Sequence, residues 1–292
     1  MNKKLVSLLA MVMIGLLGAC STSENVSQDE TVKAESKEGT EAPKTEEGET
    51  KEADNQSTSK KAEGSEEEAS GALAKQAEEI VIEPVYELSG NWAFQPIDGQ
   101  ANEKVALITI DDAPDKYSVE MAKTLKELGA PAIFFVNGHF LDTPEEEKKL
   151  KQIHELGFPI GNHTYSHSSL PALTKEQQYE EIIGLNDRVE EIIGERPEFF
   201  RAPFGQNTDY TKQLAEEEGM LLMNWTYGYD WEKDYQSASA IAQIMVETPL
   251  LTDGANLLMH DREWTANGLE EIVTGLEEKG YELLDPALIK RP

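Results

Sequence analysis

The 292-residue sequence has a single cysteine, Cys20, so no disulfide can form within one chain and the fold must be held by its core alone. Basic residues are scarce: 26 Lys and Arg stand against 56 Asp and Glu, a formal net charge of -30. With no basic patch to neutralise phosphates, nucleic acid is excluded as an expected partner, whereas a neutral glycan is compatible with this charge. Aromatic residues are absent before Tyr86, and from Ser21 to Gly71 the sequence is dominated by Glu, Lys, Ser, Thr and Ala. Such a stretch cannot bury enough apolar surface to order itself; its acidic excess reads as an extended, self-repelling tether.

At the N-terminus, Lys3 and Lys4 precede an apolar run from Leu5 to Leu17, the pattern of a secretion signal rather than of a core helix. Leu17-Gly18-Ala19-Cys20 resembles the bacterial lipobox, in which the cysteine carries lipid. The expected organisation is a signal peptide over 1–19, a lipidated acidic tether over 20–78 and one domain over 79–292. The expected location is extracytoplasmic, on the outer face of a bacterial cell membrane. The roughly 210 residues of the domain suffice for one well-buried core, and a monomer is expected.

From Val105 onward, short apolar runs alternate with amphipathic stretches. Strands are expected at 105–110, 132–136, 158–162, 198–201, 220–225, 255–260 and 281–284, with helices between them. Thr143-Pro144-Glu145-Glu146 and Thr174 with Gln177 read as capping boxes, and Gly129, Gly157, Gly194, Gly219 and Gly280 as helix ends. Strands alternating with helices imply a parallel sheet, either an open doubly wound sheet or a closed barrel. No glycine-rich phosphate fingerprint follows the first strand, which weighs against a dinucleotide-binding sheet. The stretch Glu79–Glu103 has no assigned place beyond an extension packed on the domain.

Asp111, Asp112, His163, His167, Arg201, Asp230 and His260 all fall at or just beyond C-terminal strand ends, where parallel α/β barrels build their sites. His163 and His167 lie four residues apart, so in a helical turn both could face one ion. Adjacent strand residues point to opposite faces, so Asp111 and Asp112 can serve one site only where the backbone bends. Two imidazoles and one carboxylate, with open positions left over, make a catalytic rather than a structural metal site. One divalent ion is expected, zinc by default; cobalt, nickel, manganese and iron remain compatible.

Five segments then occur in order: Thr109-Ile-Asp-Asp112, His163-x3-His167, Arg201-Ala-Pro-Phe-Gly205, Asp230-Trp231 and Leu257-Leu-Met-His260. Together they resemble the polysaccharide deacetylases of the NodB-homology type, the family 4 carbohydrate esterases, over about 105–284. The resemblance implies a deformed, incomplete (β/α)7-8 barrel with parallel strands. It implies Asp112, His163 and His167 as metal ligands, Asp111 as general base and His260 as general acid. Arg201 would pair with Asp111, Asp230 would orient His260, and Trp231 would line the sugar site. The turn at Pro203 and Phe204 would stabilise an oxyanion through a backbone N–H, that of Phe204. The implied reaction removes N-acetyl groups from N-acetylglucosamine residues of a polysaccharide, with peptidoglycan the leading substrate. Chitin-like or poly-N-acetylglucosamine polymers and acetylated xylan are alternatives, and a surface lipoprotein that binds glycan without turnover is an alternative of another class.

Three departures from the family pattern bear on this reading. Ala113 stands where glycine is usual, Arg201-Ala-Pro-Phe lacks the usual second proline and tyrosine, and Gly228 stands where another aspartate is common. Asn137 and His139 are open between lining the rim and having no role, His154 reads as a solvated helix residue, and Trp225 and Tyr227 read as packing under a loop.

Overall fold

The structure, a computed structural model, describes residues 83–292; the signal, lipidation and tether expectations lie outside these residues. Each of the seven expected strands is present: β3 (Val105–Ala113), β4 (Ala132–Val136), β5 (Ile160–Asn162), β6 (Phe199–Phe200), β7 (Leu221–Leu222), β8 (Ala255–His260) and β9 (Glu282–Leu283). They pair in parallel in the order β7-β6-β5-β4-β3-β8, with β9 against the start of β3. Six helices lie between them: α1 (Ser118–Leu128), α2 (Pro144–Glu155), α3 (Lys175–Ile193), α4 (Asp209–Glu217), α5 (Ala238–Glu247) and α6 (Glu263–Glu278). The result is a curled, incomplete barrel. Between β7 and α5, where a regular barrel would place another strand, Tyr227 forms a lone parallel bridge to Leu257 on β8.

The helix signals act as their chemistry requires. Thr143 with Glu146 and Thr174 with Gln177 both form reciprocal capping boxes. All five helix-closing glycines have positive φ; at Gly194 the left-handed turn lets its N–H reach the Glu190 carbonyl at 2.8 Å.

Strand alternation sorts the core into two sides. Ala106, Ile108, Ile110, Phe134 and Val136 pack among helix residues such as Leu125, Ile272 and Leu276. Val105, Leu107, Ile133, Phe135 and Phe199 pack on the other side with Met223, Leu284 and Ile289. Along β3 the second row runs Val105, Leu107, Thr109, Asp111, so the barrel interior turns from apolar to polar toward the strand's C-terminal end.

The stretch left unplaced by the sequence forms an antiparallel pair, β1 (Tyr86–Leu88) and β2 (Phe94–Pro96), with Tyr86 and Phe94 buried against the interior core. Phe94 N–H donates to the Gly254 carbonyl at 2.8 Å. Gly254 has φ +75, and a Cβ there would collide with the Phe94 carbonyl. Gly254→Ala is therefore expected to cost roughly 2 kcal/mol or more, read as a lower urea midpoint at unchanged m-value.

Candidate active site

Residues on or just beyond five strands converge on one cleft of about 340 Å³, lined by Asp111, Asp112, His163, His167, Phe204, Trp225, Trp231, Leu258, His260 and Arg262. A larger hollow of about 440 Å³ opens where the chain enters β5 and β6, beside His154 and Glu198. Among the described residues its ionisable side chains form no metal-ligating cluster, and His154 is a partly exposed residue of α2, as read.

How two adjacent aspartates reach one site is answered by the backbone. β3 does not end at Ile110 as expected; it runs on to Ala113, with its register against β4 shifted between Ile110 and Ala113. Asp112 takes the left-handed conformation, φ 59, which turns its side chain toward the same cleft as that of Asp111. Ala113 is buried in the strand without positive φ, so the missing glycine leaves no strain at that position.

Asp111 is 1% exposed and Arg201 wholly buried. Arg201 Nη1 donates to Asp111 Oδ1 at 2.7 Å and to Thr109 Oγ1 at 2.7 Å, and Nη2 donates to the Asn224 carbonyl at 2.9 Å. Its guanidinium lies 4.3 Å from the Phe135 ring centroid, capping the apolar interior with a cation. Gly161 makes room for that ring, since a side chain there would overlap Phe135. Burial draws the Arg201 pKa down, and the Asp111 charge and hydrogen bond oppose it.

His163 and His167 do not sit on a helical turn. The loop after β5 carries them, curled by left-handed residues at Thr164 (φ 69) and His167 (φ 58). Asn137 holds this loop by donating to the carbonyls of His163 and Thr164 at 2.6 and 3.1 Å, so its role is support beneath the rim. Glu181 on α3 accepts from Ser166 N–H at 2.8 Å. His139 is exposed, packs on Phe140 and is absent from the cleft lining.

Whether these residues fit a metal can be judged from their donors. His163 Nδ1 lies 2.7 Å from the Arg201 carbonyl, an acceptor only, so Nδ1 carries the proton and Nε2 is left as a ligand. Burial is the main influence on His163 and lowers its pKa, favouring the neutral ring that a metal requires. Asp112 Oδ1 stands 3.5 Å from His167 Nε2 and 4.0 Å from His163 Nε2, and one ligand atom from each residue lies within 4.8 Å of the others. Burial would raise the Asp112 pKa, but His260, His163, His167 and Arg262 outweigh it and hold the carboxyl ionised. The set fits a divalent ion.

Across the cleft, His260 ends β8. Its Nδ1 meets Asp230 Oδ1 at 2.7 Å, and its own N–H donates to Asp230 Oδ2 at 2.6 Å. Thr265 Oγ1 donates to Oδ2 at 2.8 Å and Trp264 Nε1 to the Asp230 carbonyl at 2.7 Å. Burial pulls the His260 pKa down, but the Asp230 hydrogen bond and charge, with Asp111 and Asp112, carry it above its ordinary value. Gly228 is required by space, because a Cβ would strike the Leu258 carbonyl; that close approach lets the segment bring Asp230 to His260.

Two exposed aromatics flank the mouth. Phe204, 62% exposed, meets the His167 ring edge-on at 4.9 Å, and Trp231, 46% exposed, meets His260 at 5.6 Å. Pro203 is buried beneath Phe204 in a turn bonded from Gly205 N–H to Ala202 and from Gln206 N–H to Pro203; these bonds do not use the Phe204 N–H. Tyr227 is packing, with its hydroxyl on the Met245 carbonyl at 2.7 Å, whereas Trp225 lines the cleft.

Motif reading passed over Arg262, which lines the cleft, and its neighbour Asp261, which accepts from the N–H groups of Tyr117 and Ser118. Arg262 lies two places beyond the last motif, so its nearness to His260 was the available signal.

Comparison with known proteins follows from this geometry. Residues 98–223 match the family model described as polysaccharide deacetylase. A Bacillus subtilis protein, YlxY, is 31% identical over 58% of this chain and 51% of its own length. The peptidoglycan-N-acetylglucosamine deacetylase PgdA of Listeria monocytogenes is 30% identical over 63% of this chain and 38% of its own. The chain thus spans about half the length, or less, of these relatives. Among solved structures, a CE4 family pseudoenzyme from Bacillus anthracis shares the fold, with a TM-score of 0.58 and 23% identity over 65% of this chain and 67% of its own. A shared fold leaves the chemistry to the side chains in the site. Over residues 98–223, which run from β3 to the end of β7, the chain is similar to the polysaccharide deacetylase family.

Proposed function

We propose that this protein is a metal-dependent hydrolase that removes N-acetyl groups from N-acetylglucosamine residues of peptidoglycan. The observation that carries the reading is the placing of three ligand atoms, on Asp112, His163 and His167, within 4.8 Å of one another, in the same cleft as the carboxylate of Asp111 and the imidazole of His260. The name of the Listeria relative supplies the substrate class. An acidic chain suits a glycan of low charge, and the lipid expected on Cys20 would keep the domain at the outer face of the membrane, beside the wall.

A divalent ion, zinc by default, would supply Lewis acidity that makes water a nucleophile near neutral pH and polarises the acetyl carbonyl. The residues do the rest. Asp111, held in place by its hydrogen bond from Arg201, takes the proton from the attacking water. The developing oxyanion at the acetyl carbon is stabilised by the Phe204 N–H. His260 donates a proton to the nitrogen as the C–N bond breaks, which an amide leaving group requires. Trp231 and Phe204 offer apolar faces to the sugar ring.

The test is acetate release by the purified protein from peptidoglycan, chitooligosaccharides and acetylated xylan, with added zinc and with chelator. Release confined to the metal-loaded protein and strongest on peptidoglycan is expected. No release from any of the three would leave a glycan-binding role instead.

Asp230→Asn provides a separate check on the proton donor. Removing that charge lowers the His260 pKa, so the protonated ring is lost at lower pH. The alkaline limb of kcat against pH is expected to move to lower pH; an unmoved limb would separate Asp230 from the acid.

A further inference from the structure

Arg262 has no part in the chemistry above, yet it lines the cleft, with its side chain 40% exposed. Nη2 donates to Asp112 Oδ2 at 3.0 Å, while Oδ1 of the same carboxylate faces the two imidazoles. The two oxygens thus have separate partners. Among the described residues, no other group donates a hydrogen bond to this carboxylate, and a carboxylate torsion is otherwise broad.

The backbone delivers Arg262 to this position with little freedom. Asp261, just before it, accepts from the N–H groups of Tyr117 and Ser118 at 2.7 and 2.8 Å, and its own N–H donates to the Asp111 carbonyl at 3.1 Å. On its other side Arg262 caps α6 with extended backbone, φ -133 and ψ 148. Three consecutive residues therefore have three tasks: His260 faces the cleft, Asp261 ties β8 to α1 and to the end of β3, and Arg262 reaches Asp112. A guanidinium is always protonated and has no lone pair to offer a metal, so it can hold an oxygen without competing as a ligand.

We propose that Arg262 is a positioning residue for the metal ligand Asp112, holding Oδ2 so that the carboxylate offers one oxygen to the ion and leaves the remaining positions open to water and substrate. The inference rests on the metal-site reading above.

The experiment strips the purified protein with chelator, reloads it with Co(II), and compares wild type with R262A, R262K and D112A. The readouts are the Co(II) dissociation constant against a chromophoric competitor and the intensity of the visible cobalt absorption, which reports coordination. R262A is expected to weaken binding about tenfold and to alter the absorption, as loss of a residue that orients a ligand does elsewhere. Because a single N–H makes the contact, R262K, which keeps a donor on a long stem, is expected to recover most of the affinity.

Unchanged binding and absorption in R262A would overturn the proposal. So would tighter binding, which marks Arg262 as a mere repelling charge, or equal loss in R262A and R262K. Metal-free thermal unfolding reports separately on the fold, and R262M, which keeps the stem's packing, replaces R262A should that variant fold poorly. Wild type that binds Co(II) no better than D112A would defeat the metal-site reading itself, a result distinct from failure of the arginine variants.

Discussion

Asp111→Asn is expected to lower kcat/KM for deacetylation by a factor of roughly 10² to 10⁴, the usual contribution of a general base, while the metal stays bound. The substitution keeps the shape, and its amide oxygen can still accept from Arg201 Nη1, 2.7 Å from Oδ1 in the native pair. It presents toward the cleft a group that cannot take a proton. Stability should fall too, because the wholly buried Arg201 guanidinium loses the carboxylate that compensates it. Breaking such a buried pair costs about 3–5 kcal/mol when a partner is removed outright, and the retained amide hydrogen bond should keep the loss below that. Activity, metal content and urea unfolding of one preparation check all three statements. Loss of metal from this variant would make Asp111 a ligand and leave the base unassigned.

Removing the metal is expected to abolish acetate release. In chelator-treated wild type, added zinc should restore activity, because the ligand loop is held by Asn137 and Glu181 independently of the ion. His163→Ala should not be rescued. It deletes one ligand and also the 2.7 Å bond from Nδ1 to the Arg201 carbonyl, so the ring's departure loosens the join between the loop after β5 and the residue that holds Asp111. His167 is partly exposed and has no such second bond, so His167→Ala should keep native stability and weaken the metal alone. Metal content by elemental analysis, set beside activity, tests the pair; full activity in thoroughly chelated protein would remove the ion from the mechanism.

Much of this site could be read from the sequence because its parts follow strand ends, and strand ends are marked by apolar runs of characteristic length. The run Val105–Ile110 and the two aspartates after it located one strand end at the cleft, and Ala255–His260 located the strand end beside it. Less visible was the conformation of Asp112. Aspartate tolerates the left-handed region without demanding it, so neither the bulge nor the continuation of β3 to Ala113 is written in residue type. The conformation of the loop bearing His163 and His167 is hidden for a related reason: the four-residue spacing suits a helical turn, and nothing local announces that Thr164 and His167 take positive φ. Tyr227 could not be seen as standing in for a strand, because a single bridge leaves no alternation to detect. Arg262 was hidden by distance, since its partner lies 150 positions earlier.

The pairing of β3 with β8 sets Asp111 directly beside His260, and the next residue, Asp261, donates its N–H back to Asp111. In the proposed reaction, proton uptake and proton delivery would thereby be mounted on one rung of the ladder, whose spacing is a constant of peptide geometry. Insertions or grafts in the surrounding loops could reshape which polymer enters without altering the gap between these two groups. A slip of one rung between the strands would part the two groups, so this seam is where designed variants of the protein should leave the backbone untouched.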